Sequence, residues 1–162
     1  MKKILSLLVL LVAFASCEED VKFNNPAVQG LKNNELWRAT SFEATKSGTT
    51  VIVKASNDVE TVTLTINAPA PESVHELGVN AVNMAAYDLS VDGIEESYKT
   101  FGNATNGNGM IVIRRAEDNN INATDGQGYI SGNFYFNAVN AEGAVVNYQE
   151  GVFYKVPITV LQ

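Results

Sequence analysis

The chain has few of the residues that most often carry chemistry. Its 162 residues include one cysteine and one histidine. A disulfide framework needs two or more cysteines and a Cys/His zinc cluster needs several ligands, so neither can be built within one chain. Basic side chains are also scarce. Eleven Lys and Arg stand against 18 Asp and Glu, a formal net charge of −7. A surface that grips phosphates needs a Lys/Arg excess, which excludes nucleic acid as a partner. Apolar residues are plentiful: 46% of the chain is hydrophobic, ample for a core and too much for a disordered polymer. The length supports one domain.

The N-terminus reads as an address. Lys2 and Lys3 form a positive n-region, Ile4 to Ala15 is uncharged and mostly apolar, and Phe14-Ala15-Ser16 supplies the small residues a signal peptidase requires. Residues 1–16 are expected to be a secretory signal peptide, because a membrane helix takes about 20 apolar residues. Cys17 follows directly. Ala15-Ser16-Cys17 resembles the lipobox of bacterial lipoproteins, in which the thiol is acylated and becomes the new N-terminus; Phe14 stands where leucine is commoner. The resemblance implies lipidation at Cys17 and membrane attachment through that lipid. More than one acyl chain, at about 0.8 kcal/mol per buried methylene, holds a protein firmly to a bilayer. Glu18-Glu19-Asp20 resembles the acidic export signal of surface lipoproteins in Bacteroidota-type bacteria. It implies an outer-membrane lipoprotein displayed on the cell surface ahead of one facing the periplasm. Loss of Lys2 and Lys3 leaves 9 basic against 18 acidic side chains, so the body gains nothing from anionic headgroups.

Residues 17–34 read as the lipidated cysteine and a flexible polar tether, and residues 35–162 as a single β domain. A flexible tether of about 16 residues has an r.m.s. reach of roughly 20–25 Å. From Leu36 onward the period is two. Val62, Leu64 and Ile66 share one face of a strand whose other face is threonine. Ile130, Gly132, Phe134, Phe136 and Ala138 form a second row, and Val152, Tyr154, Val156, Ile158 and Val160 a third. Pro157, lacking an N–H, suggests that the last strand is an edge, at least there. Val51-Ile52-Val53 and Met110-Ile111-Val112-Ile113 are apolar on both faces and predict strands covered on both sides. Ser47-Gly48, Asn57-Asp58, Asp92-Gly93, Asp125-Gly126 and Glu142-Gly143 read as turns. The expected fold is all-β, an antiparallel sandwich or barrel-like meander, with at most one short helix over 71–77 opened by Pro71 and Glu72 and stopped by Gly78.

Candidate chemistry is thin. Asp118, Asn120, Asn122 and Asp125 place oxygens at the spacing of a calcium loop, but an EF-hand needs Gly at position six and Glu at twelve, where Ala123 and Tyr129 stand. An Asn-rich turn accounts for them better, and no metal or other cofactor is expected. His75 has Ser73 and Glu72 nearby but no recognised nucleophile frame, and reads as a surface histidine on the short helix. Glu95-Glu96 and Glu117-Asp118 are adjacent in sequence, so on strands they point to opposite faces and single out no glycosidase pair. Trp37 reads as a core anchor. Tyr98, Tyr135 and Tyr148 are the candidates for exposed rings that stack on a ligand. Asn103-Ala104-Thr105 and Asn122-Ala123-Thr124 match the N-glycosylation sequon and read as turns.

Leu36-Trp37-Arg38-Ala39, Val62-Thr63-Leu64-Thr65-Ile66, Gly109-Met110-Ile111-Val112-Ile113 and Ile130-Ser131-Gly132-Asn133-Phe134-Tyr135-Phe136 resemble a family of small uncharacterised lipoproteins of Bacteroidota-type bacteria. Its members carry a W-x-A strand, an I-x-G-x-F-x-F strand and a G-x-F strand, the last matched by Gly151-Val152-Phe153. The resemblance implies a secreted, β-rich domain of unknown function and transfers no site residues. Anchor, tether and missing catalytic frame together predict a non-catalytic binding or accessory module of the cell envelope, with a glycan or a protein as candidate partner. The alternatives are a structural or assembly subunit that uses an exposed sheet edge, and a glycan-active enzyme.

Overall fold

The computed structural model describes residues 27–103, 105–123 and 126–161. The signal peptide, Cys17 and Asp125 lie outside the described residues. Among the described residues eleven strands follow one another: β1 (Val28–Lys32), β2 (Glu35–Arg38), β3 (Ser41–Ser47), β4 (Thr50–Ser56), β5 (Glu60–Asn67), β6 (Val74–Leu77), β7 (Met84–Val91), β8 (Ile94–Lys99), β9 (Asn108–Ile113), β10 (Tyr129–Val139) and β11 (Val145–Val160). One 3-10 turn, Ala116–Asp118, lies between β9 and β10. The fold is all-β, as the alternation predicts.

The strand order is β2-β1-β11-β3-β4-β5-β7-β8-β10-β9-β6, and β11 also pairs with β10. That extra pairing closes the seven strands from β11 through β3 and β8 to β10 into a ring, sealed between β10 and β8 by the single pair Val139↔Lys99. β9 and β6 extend the sheet from β10, and β1 and β2 extend it from β11. The pairings are antiparallel except for β11 with β3, which is parallel over Ile158–Val160. That crossing departs from the expected all-antiparallel meander. It lets the last strand leave β1 and finish beside β3.

Inward faces follow the period of two through β5, where Val62, Leu64 and Ile66 are buried and the threonines between them are half-exposed. They also follow it through β10, where Ile130, Phe134, Phe136 and Ala138 are buried. In β11 the predicted row holds at Val156 and Ile158 and fails at Tyr154 and Val160. The buried residues are Val146, Tyr148, Gly151, Phe153, Val156 and Ile158, while Tyr154 and Val160 are exposed. Two bulges shift the phase: Glu150 and Lys155 have φ of 50° and 48°, and the register with β10 slips opposite each. A bulge places two residues of one strand against one of its neighbour, so consecutive side chains share a face.

Four other expectations change. Residues 71–77 hold no helix, because Glu72 has φ of 63°, outside the helical region, and β6 pairs with β9. Residues 28–34 are part of the domain and not tether, because β1 pairs with β11 and β2 and buries Val28. Asn33 and Asn34, both at positive φ, are the two-residue turn of that hairpin. β11 is central as a whole, and its only open side along the predicted edge is local, at Pro157. Ile158 N–H points to Gly128 on the β10 side, so the missing N–H of Pro157 faces the gap between the end of β1 and the start of the β3 pairing. The doubly apolar runs are covered on one face only: Ile52 is exposed, and Met110 and Val112 are half-buried.

The family-like motifs acquire a physical meaning here. Gly132 stands opposite Phe153, and Phe134 stands opposite Gly151. A Cβ built on Gly132 would lie 2.3 Å from Cζ of Phe153, and one on Gly151 would lie 2.6 Å from the Phe134 ring. Each ring rests on the bare backbone of the other strand. Adding a methyl there overpacks the core, so Gly132→Ala and Gly151→Ala should each lower unfolding free energy by about 1–3 kcal/mol. Urea midpoints would show the loss, and Phe153→Leu should recover part of it only in the Gly132→Ala background.

Candidate functional site

The outward side of β10 and β11 carries a row of alternating rings and cations. Ser131 is fully buried at its base, under the loop that follows β9. Its hydroxyl donates to the Asp118 carbonyl at 2.6 Å and accepts the Lys155 N–H at 2.8 Å, and its own N–H donates to Asn119 Oδ1 at 2.7 Å. This fixes the Lys155 bulge, and the bulge turns both Tyr154 and Lys155 outward. Lys155 Nζ then lies 5.5 Å from the Tyr129 ring centre and 5.4 Å from that of Tyr154. The Arg114 guanidinium lies 5.5 Å from the Tyr154 ring centre, and Arg114 Nε donates to Asn133 Oδ1 at 3.2 Å. Cation–ring attraction of this kind is worth about 0.5–1 kcal/mol at exposed sites. Tyr135, 48% exposed, continues the face beyond Asn133. Next to Arg114, a cleft of about 460 Å³ is lined by Glu72, Arg115, Glu117 and Asp118.

A second polar cluster lies between the layers. Glu60 occupies an inward position of β5, where an apolar residue would continue the row. Lys32 reaches it from β1 as an ion pair, Tyr87 donates to it at 2.8 Å, and Asn57 Nδ2 donates to its other oxygen at 2.8 Å. Burial alone would raise the Glu60 pKa, but the hydrogen bonds from Lys32, Asn57 and Tyr87 outweigh it and hold the carboxyl below its ordinary 4.5. Burial, then the Glu60 charge, pushes the Tyr87 and Tyr148 phenols up, so both stay protonated. Trp37 and Tyr148 meet edge-on at 5.8 Å, with Trp37 Nε1 and the Tyr148 hydroxyl buried and unpartnered among the described residues.

The three candidate tyrosines separate. Tyr148 is fully buried and faces the core, so it cannot stack on an external ligand. Tyr98 is half-buried, packs on Tyr87 and donates to Glu96 at 2.5 Å. Only Tyr135 stands open on the outer face. Of the calcium-loop candidates, Asp118 lines the cleft beside Arg114, Asn120 Nδ2 donates to the Gln127 carbonyl, and Asn122 Oδ1 accepts from Lys46 Nζ at 2.8 Å, so an ammonium already holds that last oxygen. Among the described residues, no group of three or more His, Cys, Asp or Glu could hold a metal. His75 is buried on β6 rather than exposed on a helix, and Nε2 lies 2.8 Å from Ser73 Oγ. Ser73 Oγ already donates to the Ala70 carbonyl at 2.6 Å, so the imidazole donates to the serine and takes no proton from it. Trp37 is a core anchor, as expected.

Sequence reasoning missed Arg114, Tyr129, Tyr154 and Lys155 as a group. The local signal was Tyr154-Lys155 itself, a polar pair breaking an apolar alternation, with Ser131 in register opposite. Fold and face together define an all-β domain presenting a cation–aromatic surface. The chain belongs to a family described as a domain of unknown function, DUF6252, whose model matches residues 24–157. No curated protein and no solved structure matches it.

Acidity should reveal both buried titratable groups. Burial depresses the His75 pKa below 6.5, and the Glu60 pKa lies below 4.5. In both cases the unfolded chain binds protons first, so stability is full above the unfolded value and lost as pH falls through the folded one. Urea midpoints should therefore decline in two limbs, beginning below pH 6.5 and again below pH 4.5. His75→Gln should flatten the first and Glu60→Gln the second. Lys32→Met at pH 7 should cost about 2–3 kcal/mol, because it leaves a buried carboxylate without its cation.

Proposed function

We propose that this protein is a lipid-anchored component of the bacterial cell envelope whose β domain is a non-catalytic binding module. The observation that carries the reading is the outward row on β10 and β11. Arg114 and Lys155 are held on tyrosine rings, and among the described residues the one ion pair joins Lys32 to Glu60. A bulge fixed by a fully buried serine gives Lys155 a defined position, which suits recognition better than a free surface lysine does. The signal, the small pair Ala15-Ser16 and the solitary Cys17 support the anchor, and the resemblance to surface lipoproteins supports outward display.

The assembly reading rests on β2 and β6, which end the strand order, and on the exposed Leu36 and Val74 they carry. Each edge is only four residues long, and short edges are poor templates for strand addition.

Anchoring is tested in cells. Metabolic labelling with an alkyne palmitate should mark the wild type and leave Cys17→Ser unmarked, and the variant should move from the membrane to the soluble envelope fraction. A labelled or membrane-bound Cys17→Ser protein would overturn the anchor. Whole-cell protease shaving should degrade the wild-type domain, and its survival beside a degraded surface control would overturn outward display.

A further inference from the structure

We propose that the outward face of β9, β10 and β11 binds an acidic polysaccharide, with a sugar carboxylate received by Arg114 and Lys155 over the Tyr154 ring. The proposal rests on the binding-module reading above and names its ligand class. In a chain of formal charge −7, Arg114, Arg115 and Lys155 have no carboxylate within ion-pair distance among the described residues. Two of these cations are positioned in advance. Lys155 is set by the bulge and the Ser131 hydroxyl, and Arg114 by Asn133 and the ring beneath it. Arg114 Nε is occupied, but the rest of the guanidinium fork keeps donors for a planar carboxylate.

The neighbours specify a sugar rather than a bare anion. Asn133 lies next to Arg114 on a pleated surface, and its amide can donate to hydroxyls. Tyr135 is open two residues further along the same face and offers a ring to the apolar side of a pyranose. The surrounding acids specify the charge density. Glu150 sits in the bulge opposite Tyr135, and Glu72, Glu117 and Asp118 line the cleft beyond Arg114. A densely charged polymer or an anionic bilayer would meet these carboxylates along with the cations. A glycan bearing one carboxylate per sugar can place a single anion between them. The row Tyr129–Lys155–Tyr154–Arg114 is therefore a short positive window in an acidic surface, matched to a spaced polyanion.

The test uses the full-length protein in detergent, with polygalacturonate as probe, neutral galactan as control, and calorimetry and affinity electrophoresis as readouts. Wild type should bind polygalacturonate and not galactan, and high salt should weaken the binding. Arg114→Gln/Lys155→Gln should weaken it about tenfold or more, because two charge-assisted contacts are lost. Both substitutions keep the side-chain stem, and an unchanged urea midpoint would show the fold intact; Arg114→Gln alone serves should the pair unfold. The proposal is overturned by no binding, by equal binding of galactan, by an unweakened double variant, or by binding only to DNA or to phosphatidylglycerol vesicles. Equal binding of galactan, lost in Tyr135→Ala, would keep the binding module and remove its acidic specificity. The palmitate labelling of Cys17 judges the anchor separately.

Discussion

The structure depends on the interlock between β10 and β11. Glycine inside a strand is ordinarily a weakness, since it gives up side-chain contacts and conformational entropy. Here the two glycines are where the neighbouring strand's rings lie down. Phe153 covers Gly132, Phe134 covers Gly151, and the stack continues through Phe136 to Tyr148, whose ring centres are 4.9 Å apart. Every other strand joins this pair directly or through a neighbour. β9 and β6 hang from β10, β1 and β2 hang from β11, and the far layer reaches the pair at β3 and at β8. The aromatic slab on the inward face of this pair is thus the part of the core against which the rest of the closed ring packs.

The domain holds cations in two contrasting ways. Lys32 is inside, matched by Glu60 and ringed by Asn57 and Tyr87, so its charge is cancelled where it stands. Its role is mechanical: it fastens β1 across the interior to β5. Lys155 and Arg114 are outside and rest on rings. A quadrupole attracts a cation without neutralising it, so the charge remains available to a third party. One arrangement stabilises the fold, and the other stores an interaction.

Much of the fold was legible because strands with one wet face write their period into the sequence. Val62-Thr63-Leu64-Thr65-Ile66 and the Phe134–Phe136 row did so without ambiguity. The hairpin residues Asn57, Asp92-Gly93 and Gly143 did so as well, because few residues tolerate a left-handed backbone or cap a turn from the side chain. Three features were hidden. β1 is short, and Gly30 interrupts its pattern, so it read as tether; it is held by pairing with β2 and β11 and by the ion pair from Lys32 to Glu60, none of which is a local strand signal. β6 follows Pro71 and Glu72, a plausible helix start, and only its pairing with β9 decides for a strand. The outward row depends on a bulge created by Ser131 from another strand, a tertiary event that no local period records.

The two bulges of β11 also bear on how such a strand can change over time. Inward positions run Val146 and Tyr148, then Gly151 and Phe153, then Val156 and Ile158. Parity switches from even to odd at Glu150 and back to even at Lys155. The strand leaves its turn and reaches β3 in the same phase, with only the middle segment displaced. Removing the extra residue of either bulge would return the strand to strict alternation and leave every downstream side chain on its face, while removing one elsewhere in the strand would invert everything downstream. Along Val145–Val160 the two bulges are therefore the places where the strand can lose a single residue without turning its core face to solvent.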